Sequence, residues 1–328
     1  MKKIIALILA LTTIVLSLFA FTSCKEEDNT VIRVGYLTGP TGMGMAKLIH
    51  DTAAEENKKY EFFRFDAPNL ATAALAAGEV DIICTDTSGA RDYFELYSDA
   101  KVLAINTLSS LFLVTDKSTT VKSFSELEGK TIYTCKAGTP KAITEFLVKE
   151  ANLNVTVSYT FNGKVIASPK ELGALLTEGS IDIAVVPEPI LTSSLLAIKS
   201  SGNTEIEYSI DIPLSTVWED LVGKNTPLSM GCIIANGDFV ENHEGNVKDF
   251  LKAYEKSIEF VNAEENLTLA AEYVAEAKIM GAAKPAESAL KNLHGAIAYI
   301  DGKDMKKTLE AFYNALGLTL PAKEFYYD

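Results

Sequence analysis

The sequence predicts an α/β protein of two similar lobes, each a mixed sheet flanked by helices, joined by a two-stranded hinge. Leu75-Ala76-Ala77-Gly78-Glu79-Val80-Asp81-Ile82 and Leu176-Thr177-Glu178-Gly179-Ser180-Ile181-Asp182-Ile183 each read as a helix end, a glycine stop and the start of a buried strand. Upstream of each copy, an apolar strand runs into a Gly/Thr/Pro turn and a new helix. These are Val34-Gly35-Tyr36-Leu37-Thr38-Gly39-Pro40-Thr41-Gly42 and Ile132-Tyr133-Thr134-Cys135-Lys136-Ala137-Gly138-Thr139-Pro140. Past Pro227 the repetition stops and the chain turns almost wholly helical. A helical tail without strands of its own must pack on something already built.

In the first series, 31–37 is a short run rich in branched residues, and 42–51 reads as a helix with apolar Met43, Met45, Ala46 and Ile49. A strand follows at 61–65. Pro68 opens an Ala-rich helix over 69–77, Gly78 stops it, and 80–84 is the continuous apolar strand that parallel sheets bury. One or two further strands lie in 101–114, completing a β-α-β-α-β series. The second series has a short helix at 123–129, a strand at 130–134, a helix at 140–151 and a strand at 155–160. Ser168-Pro169 caps a helix ending at Glu178, and strands follow at 181–186 and 205–210. After a strand-like run at 229–235 come helices at 247–261, 267–277, 285–293 and 303–316. Crossings near 115–119 and near Thr226 place 31–116 with 228–328 in one lobe and 117–227 in the other. Two crossings confine the lobes to opening and closing about one axis.

Residues 1–24 read as a secretion signal: Lys2 and Lys3, an apolar stretch over 4–21, then Phe21-Thr22-Ser23-Cys24. The placement of Cys24 resembles a bacterial lipobox, which implies a lipid on Cys24, membrane attachment and an extracytoplasmic location. The polar run 25–30 serves as a tether. Formal charge is −14, from 44 acidic against 30 basic residues, without a Lys/Arg cluster, so nucleic acid is not an expected partner. Cys84, Cys135 and Cys232 sit in or beside apolar runs and read as small core hydrophobes, and the sequence cannot pair them. His50, His243 and His294 are scattered and lack metal-ligand spacing, so neither a metal nor a cofactor is expected.

From residue 31 onward the chain resembles the type II periplasmic binding proteins, solute receptors of ATP-binding cassette (ABC) importers. It is most similar to the group receiving sulfonates, nitrate and thiamine-pyrimidine precursors. The carriers are Gly39-Pro40-Thr41-Gly42-Met43-Gly44, Gly78-Glu79-Val80-Asp81-Ile82, Leu103-Ala104-Ile105-Asn106-Thr107, Leu127-Glu128-Gly129-Lys130-Thr131-Ile132 and Pro187-Glu188-Pro189. The resemblance implies the two-lobe type II fold, a monomer, a small organic solute (thiamine-precursor-like, sulfonate-like or similar) and an importer permease as partner.

In open α/β sheets the ligand crevice lies beyond the carboxyl ends of the strands. Turns at such ends supply the candidate binding residues: Gly39, Pro40, Thr41, Gly42 and Met43; Thr85, Asp86, Thr87 and Ser88; Gly138, Thr139 and Pro140; and Glu188 between two prolines. Asn106, in the carrier after the 101–114 strands, joins them. Unpaired N–H groups after Gly39–Thr41 and Gly138–Thr139 suit an anionic or strongly polar group. Thr87, Ser88 and Thr139 also read as ordinary N-caps. Glu188 is either a partner for a cationic ligand or a solvated loop residue, and Asp86 is similar. Trp218, the single tryptophan, either stacks on a planar ligand or is core. Asp81 and Asp182 read as strand-entry residues. Arg91 is the one arginine placed to clamp a carboxylate, and otherwise a solvent-facing helix residue. The 85–88 and 187–189 turns are expected to face each other across the cleft.

These readings favour a non-enzymatic receptor that captures a solute and presents it to an importer. The alternatives are a cofactor-free enzyme on the same fold, for which no Ser/His/Asp or Cys/His arrangement can be read, and a sensory receptor.

Overall fold

The computed structural model describes residues 30–327, apart from 120, 137, 138 and 225. The signal segment with Cys24, and Gly138, lie outside the described residues. Among the described residues no helix is long and apolar enough to cross a membrane.

The first series forms β1 (Ile32–Leu37), the short α1 (Pro40–Met43), α2 (Ala46–Ala53), β2 (Tyr60–Phe65), α3 (Pro68–Ala76), β3 (Ile82–Asp86), α4 (Thr87–Tyr97) and β4 (Lys101–Thr107). The second forms β5 (Leu111–Asp116), β6 (Thr131–Tyr133), α5 (Thr139–Glu150), β7 (Thr156–Ser158), the hairpin β8 (Thr160–Phe161) and β9 (Lys164–Val165), α6 (Pro169–Thr177), β10 (Ile183–Pro187), α7 (Ile190–Ser201), β11 (Tyr208–Pro213) and α8 (Leu214–Val222). The tail adds β12 (Gly231–Ala235), α9 (Gly237–Asn242), α10 (Glu244–Asn262), α11 (Leu267–Glu276), α12 (Ala283–Asn292), β13 (Ile297–Ile300) and α13 (Gly302–Ala315).

Two mixed sheets result, ordered β13-β4-β12-β3-β1-β2 and β11-β5-β10-β6-β7. In the first, β1 runs parallel to β2 and β3, while β12 is antiparallel to β3 and β4. In the second, β10 is parallel to β6 and antiparallel to β5. Both sheets lie in one compact unit, Val31–Asp328.

The repeated segments share their backbone chemistry. Gly78 and Gly179 both take left-handed φ, +68° and +66°. Gly78 N donates to Leu75 O and Glu79 N to Ala74 O. Gly179 N and Ser180 N repeat this with Leu176 O and Leu175 O. Each is a Schellman close, satisfying carbonyls that a helix end leaves open and turning the chain into the next strand. Asp81, within the first copy, accepts from Arg33 N at 2.8 Å and from the Arg33 guanidinium, tying β1 to β3. Its strand-entry role is met in this way.

Two expectations about the path need correction. The chain leaves the first sheet over 108–110, not near 115–119, because Leu111–Asp116 pairs with β10 and β11. Residues 111–116 therefore belong with the second sheet, and not with 31–110. An apolar run, LFLVTD, does not reveal which sheet it joins; pairing partners decide that. The tail also contains a strand, since the Ile297–Ile300 run pairs with β4 at the edge of the first sheet. The return crossing occupies 223–230, where Met230 N donates to Thr107 O at 2.9 Å, so the two crossings leave side by side.

Helices α10 to α12 of the tail lie on one face of the first sheet, and α13 lies on the other. Phe250, Tyr254, Val274, Ala289 and Leu290 form one core with Ile82, Cys84 and Leu103. The opposite face of that sheet shares a core with the second lobe, running from Ile83 and Val102 through Phe312 and Trp218 to Ile143 and Val185. Cys84, Cys135 and Cys232 are buried, in line with their reading as core residues. Burial pushes the Cys84 thiol up to about 12, which makes it a poor nucleophile.

The turn from β1 into α1 is tight. A Cβ on Gly42 would lie 2.0 Å from the Leu37 carbonyl oxygen, a backbone atom with no rotamer to yield. Gly42→Ala is expected to cost about 1–3 kcal/mol through overpacking. Urea unfolding monitored by circular dichroism checks this, and an unchanged midpoint would contradict it.

Candidate functional site

A cavity of about 1090 Å³ opens between the lobes. From the first lobe its walls come from α3 and α4; from the second they come from α5. Helical periodicity explains the residue choice. Asn69, Thr72 and Ala73 share one face of α3, Gly89, Asp92, Tyr93 and Leu96 one face of α4, and Thr139, Ala142, Glu145, Phe146 and Lys149 one face of α5. Leu316 and Leu318, just after α13, complete the lining.

The structure brings together Thr85, Asp86, Ser88 and Thr139 of the expected residues at this cavity. Asp86 is the N-cap of α4, its Oδ1 accepting from Gly89 N at 2.8 Å. Burial pushes its carboxyl above the ordinary aspartate value, against the pull of that backbone hydrogen bond. Thr85 is fully buried, and its Oγ1 has no hydrogen-bond partner among the described residues. Buried hydroxyls are normally paired, so this one stands out at a cavity wall.

The charges are asymmetric. Among the described residues, Asp86, Asp92 and Glu145 line the cavity against a single cation, Lys149. Asp92 pairs with Arg91 Nη1 at 2.9 Å, and Glu145 accepts from the Tyr159 hydroxyl at 2.6 Å and lies 3.9 Å from Lys141 Nζ. No ion pair reaches Asp86 among the described residues.

Other expected residues are placed elsewhere. Gly42 and Met43 are buried, and the N–H groups of both donate to Gly39 O at 3.0 and 3.1 Å. The donors expected to be free after Gly39–Thr41 are thus used within the turn itself. A Cβ on Gly39 would meet Pro189 Cδ at 3.8 Å, so this turn, with Pro40 and Thr41, faces the 187–189 turn of the other lobe. The 85–88 turn shares its cavity with α5 instead. The expected pairing of turns is therefore exchanged, because packing between lobes sets it and neither turn encodes its partner. Pro140 is the second residue of α5, with its carbonyl accepting from Thr144 Oγ1 at 2.7 Å. Asn106 is buried and donates to Thr41 O at 3.2 Å, and the buried Thr87 hydroxyl lies 3.0 Å from Ser229 Oγ.

Glu188 and Trp218 are neither solvated nor open to a ligand. Glu188 is 3% exposed, and its carboxylate accepts from Thr192 Oγ1 at 2.8 Å, Thr192 N at 3.2 Å and Asn292 Nδ2 at 2.7 Å. Asn292 ends α12 in the first lobe, so the group bridges the lobes. Trp218 is fully buried between Phe146 and Phe312, ring centroids 5.1 and 5.8 Å away, with Nε1 donating to Thr226 O at 2.7 Å. Its ring faces are already covered. Arg91 is not solvent-facing: it is buried and donates to Thr319 O at 2.8 Å and to Asp92 and Glu95.

Sequence reasoning missed Asn69, Thr72, Tyr93, Phe146 and Leu318. The strand-end rule that selected the turns after β1 and β3 also applies to β2, whose following helix supplies Asn69 and Thr72. Extending Thr139 by helical steps along α5 reaches Phe146. Nothing local marks Leu318.

The chain matches no family model and no curated protein sequence. Its fold matches solved structures. An ABC transporter protein from Parabacteroides distasonis superposes with a TM-score of 0.71 at 20% identity, covering 91% of this chain and 99% of that one. The periplasmic aliphatic sulphonate binding protein of Escherichia coli gives 0.65 at 16% identity, covering 88% of each. The periplasmic nitrate-binding protein of Synechocystis PCC 6803 gives 0.62 at 11% identity, covering 88% of this chain and 81% of that one. These likenesses establish the two-lobe fold of periplasmic binding proteins, with its mixed sheets flanked by helices.

Proposed function

We propose that the chain is an extracytoplasmic solute-binding protein that captures a small organic solute between its lobes and hands it to an ABC importer. The observation that carries this reading is the cavity of about 1090 Å³ walled by α3 and α4 on one side and α5 on the other. A ligand there touches both lobes, so it favours the arrangement in which they meet, and an equilibrium shifts only by such differential contact. The cavity lies near the roughly 300–1,000 Å³ range usual for small-molecule sites. Nothing in the reading requires bond-making chemistry. The apolar stretch before Cys24 supports delivery outside the cytoplasm and attachment by a lipid on that cysteine. The lobe boundaries that go with this reading are 31–110 with 228–328, and 111–227.

The test is a solute panel screened by thermal shift, with small-angle scattering on each hit. At least one organic solute is expected to raise the melting temperature and to reduce the radius of gyration of the ligand-free protein. Ala73→Trp, which fills the cavity from α3, is expected to abolish the response. Hits indifferent to Ala73→Trp would overturn the placement of the site, and turnover of a hit would overturn the receptor reading in favour of an enzyme.

A further inference from the structure

We propose that the cavity selects a small organic cation with a planar or apolar body, held by Asp86 and Thr85. The inference rests on the reading of the cavity as the solute site and adds the ligand's charge and its two polar anchors.

The electrostatics point one way. The Asp92 and Glu145 carboxylates stay open to water and already have partners in Arg91, Tyr159 and Lys141, whereas a carboxylate taken out of water needs a compensating partner. Asp86 accepts backbone N–H groups of its own cap, chiefly Gly89 N on Oδ1 at 2.8 Å, but no cation pairs with it among the described residues, and a carboxylate accepts up to about four hydrogen bonds. No arginine lines the cavity, and Lys149 sits one turn along α5 beyond Glu145 and Phe146, at the helix end. An anionic ligand at this end of the cavity would meet the Asp86 carboxylate, which has no cation paired to it among the described residues.

Thr85 supplies the second, independent observation. Its side chain is fully buried, it lines the same cavity as its neighbour Asp86, and its Oγ1 has no partner among the described residues. An unpaired buried hydroxyl costs about 1–3 kcal/mol, which a ligand donor or acceptor at that point would remove. Beside the polar Asn69, Thr72, Ser88 and Thr139, the walls offer apolar surface from Ala73, Tyr93, Phe146, Leu316 and Leu318. Tyr93 packs on Tyr97 with ring centroids 4.7 Å apart, and aromatic faces favour cations as well as flat rings. Two of the solved structures that share this fold are named for sulphonate and nitrate binding. The cavity of this chain presents the opposite field.

The test uses three ring-matched probes, benzamidinium, benzyl alcohol and benzenesulfonate, titrated by calorimetry into the mature protein and its variants. Benzamidinium is expected to bind at least tenfold more tightly than benzenesulfonate. Asp86→Asn retains a good N-cap, so the fold is preserved while benzamidinium affinity drops at least tenfold. Thr85→Val removes an unpaired hydroxyl, so it is expected to leave the melting temperature of the free protein unchanged or raised while weakening benzamidinium binding several-fold. A purely structural threonine would show the reverse. Tighter binding of the sulfonate, benzamidinium binding unaffected by Asp86→Asn, or no binding of benzamidinium would each overturn the proposal. If the sulfonate binds and Ala73→Trp blocks it, the solute-receptor reading stands and the charge assignment falls. If no solute of any charge responds to Ala73→Trp, both fall.

Discussion

Trp218→Ala is expected to destabilise the protein by about 3–5 kcal/mol, the range for emptying a fully buried aromatic site. That is a large share of the roughly 5–15 kcal/mol by which proteins of this kind exceed their unfolded state. The indole joins two bodies. Its helix, α8, packs on β5 and β11, Phe146 belongs to α5 of the same lobe, and Phe312 belongs to α13, which packs on β4 of the other lobe. Removing the ring opens a gap at the lobe junction and leaves Thr226 O without its donor. Phe146 also lines the cavity, so ligand affinity is expected to fall with stability. Urea unfolding followed by circular dichroism gives the first effect. Trp218→Phe, which keeps ring contacts but loses the N–H, is expected to lose less than half as much. A loss below about 1 kcal/mol for Trp218→Ala would show that the junction does not depend on this residue.

Asn292→Leu is expected to cost about 1–3 kcal/mol and to shift the lobes apart. The substitution removes the donor at 2.7 Å from a Glu188 carboxylate that is 3% exposed, leaving a buried acceptor underserved. Scattering of the ligand-free variant should show a larger radius of gyration; a fall in stability with unchanged dimensions would show that the bridge does not hold the lobes together.

The same group makes stability depend on pH. Burial pushes the Glu188 carboxyl above its ordinary value, and the hydrogen bonds from Asn292 and Thr192 only partly oppose this. The folded state therefore binds the proton more tightly than the unfolded state. Glu188 contributes stability that is fully present below its unfolded pKa and is lost as pH rises through the raised folded value. Glu188→Gln keeps an acceptor for Asn292 and has no proton to lose. Its stability relative to the parent protein is expected to rise as pH climbs from the unfolded carboxylate pKa through the raised value, in unfolding curves taken at successive pH values. A constant difference would remove Glu188 from the pH response. Asp86, displaced in the same direction, contributes to the parent protein's slope and remains in the variant.

Much of the fold was legible because its signals are local. Gly78 and Gly179 stop their helices through bonds reaching back only three to five residues, and a glycine is readable at such a place without any tertiary information. The continuous apolar runs at β3 and β10 mark strands covered on both faces. The strand-end rule likewise brought Thr85, Asp86, Ser88 and Thr139 to one cavity. It failed for Glu188, whose fate depends on an asparagine more than 100 positions further along the chain.

By itself the amino-acid order determined that two α/β lobes follow one another, where their helices start and stop, and that a helical tail must lie on the first. The tertiary structure alone decided that 111–116 joins the second sheet, that Ile297–Ile300 is an edge strand, that Trp218 belongs to the junction, and that the Gly39 turn meets Pro189 while Asp86 shares a cavity with α5. The division has a physical cause. Caps, turns and apolar periodicity are satisfied within a few residues, whereas strand partners, burial and the charge field of a cavity are sums over groups that only the folded chain brings together.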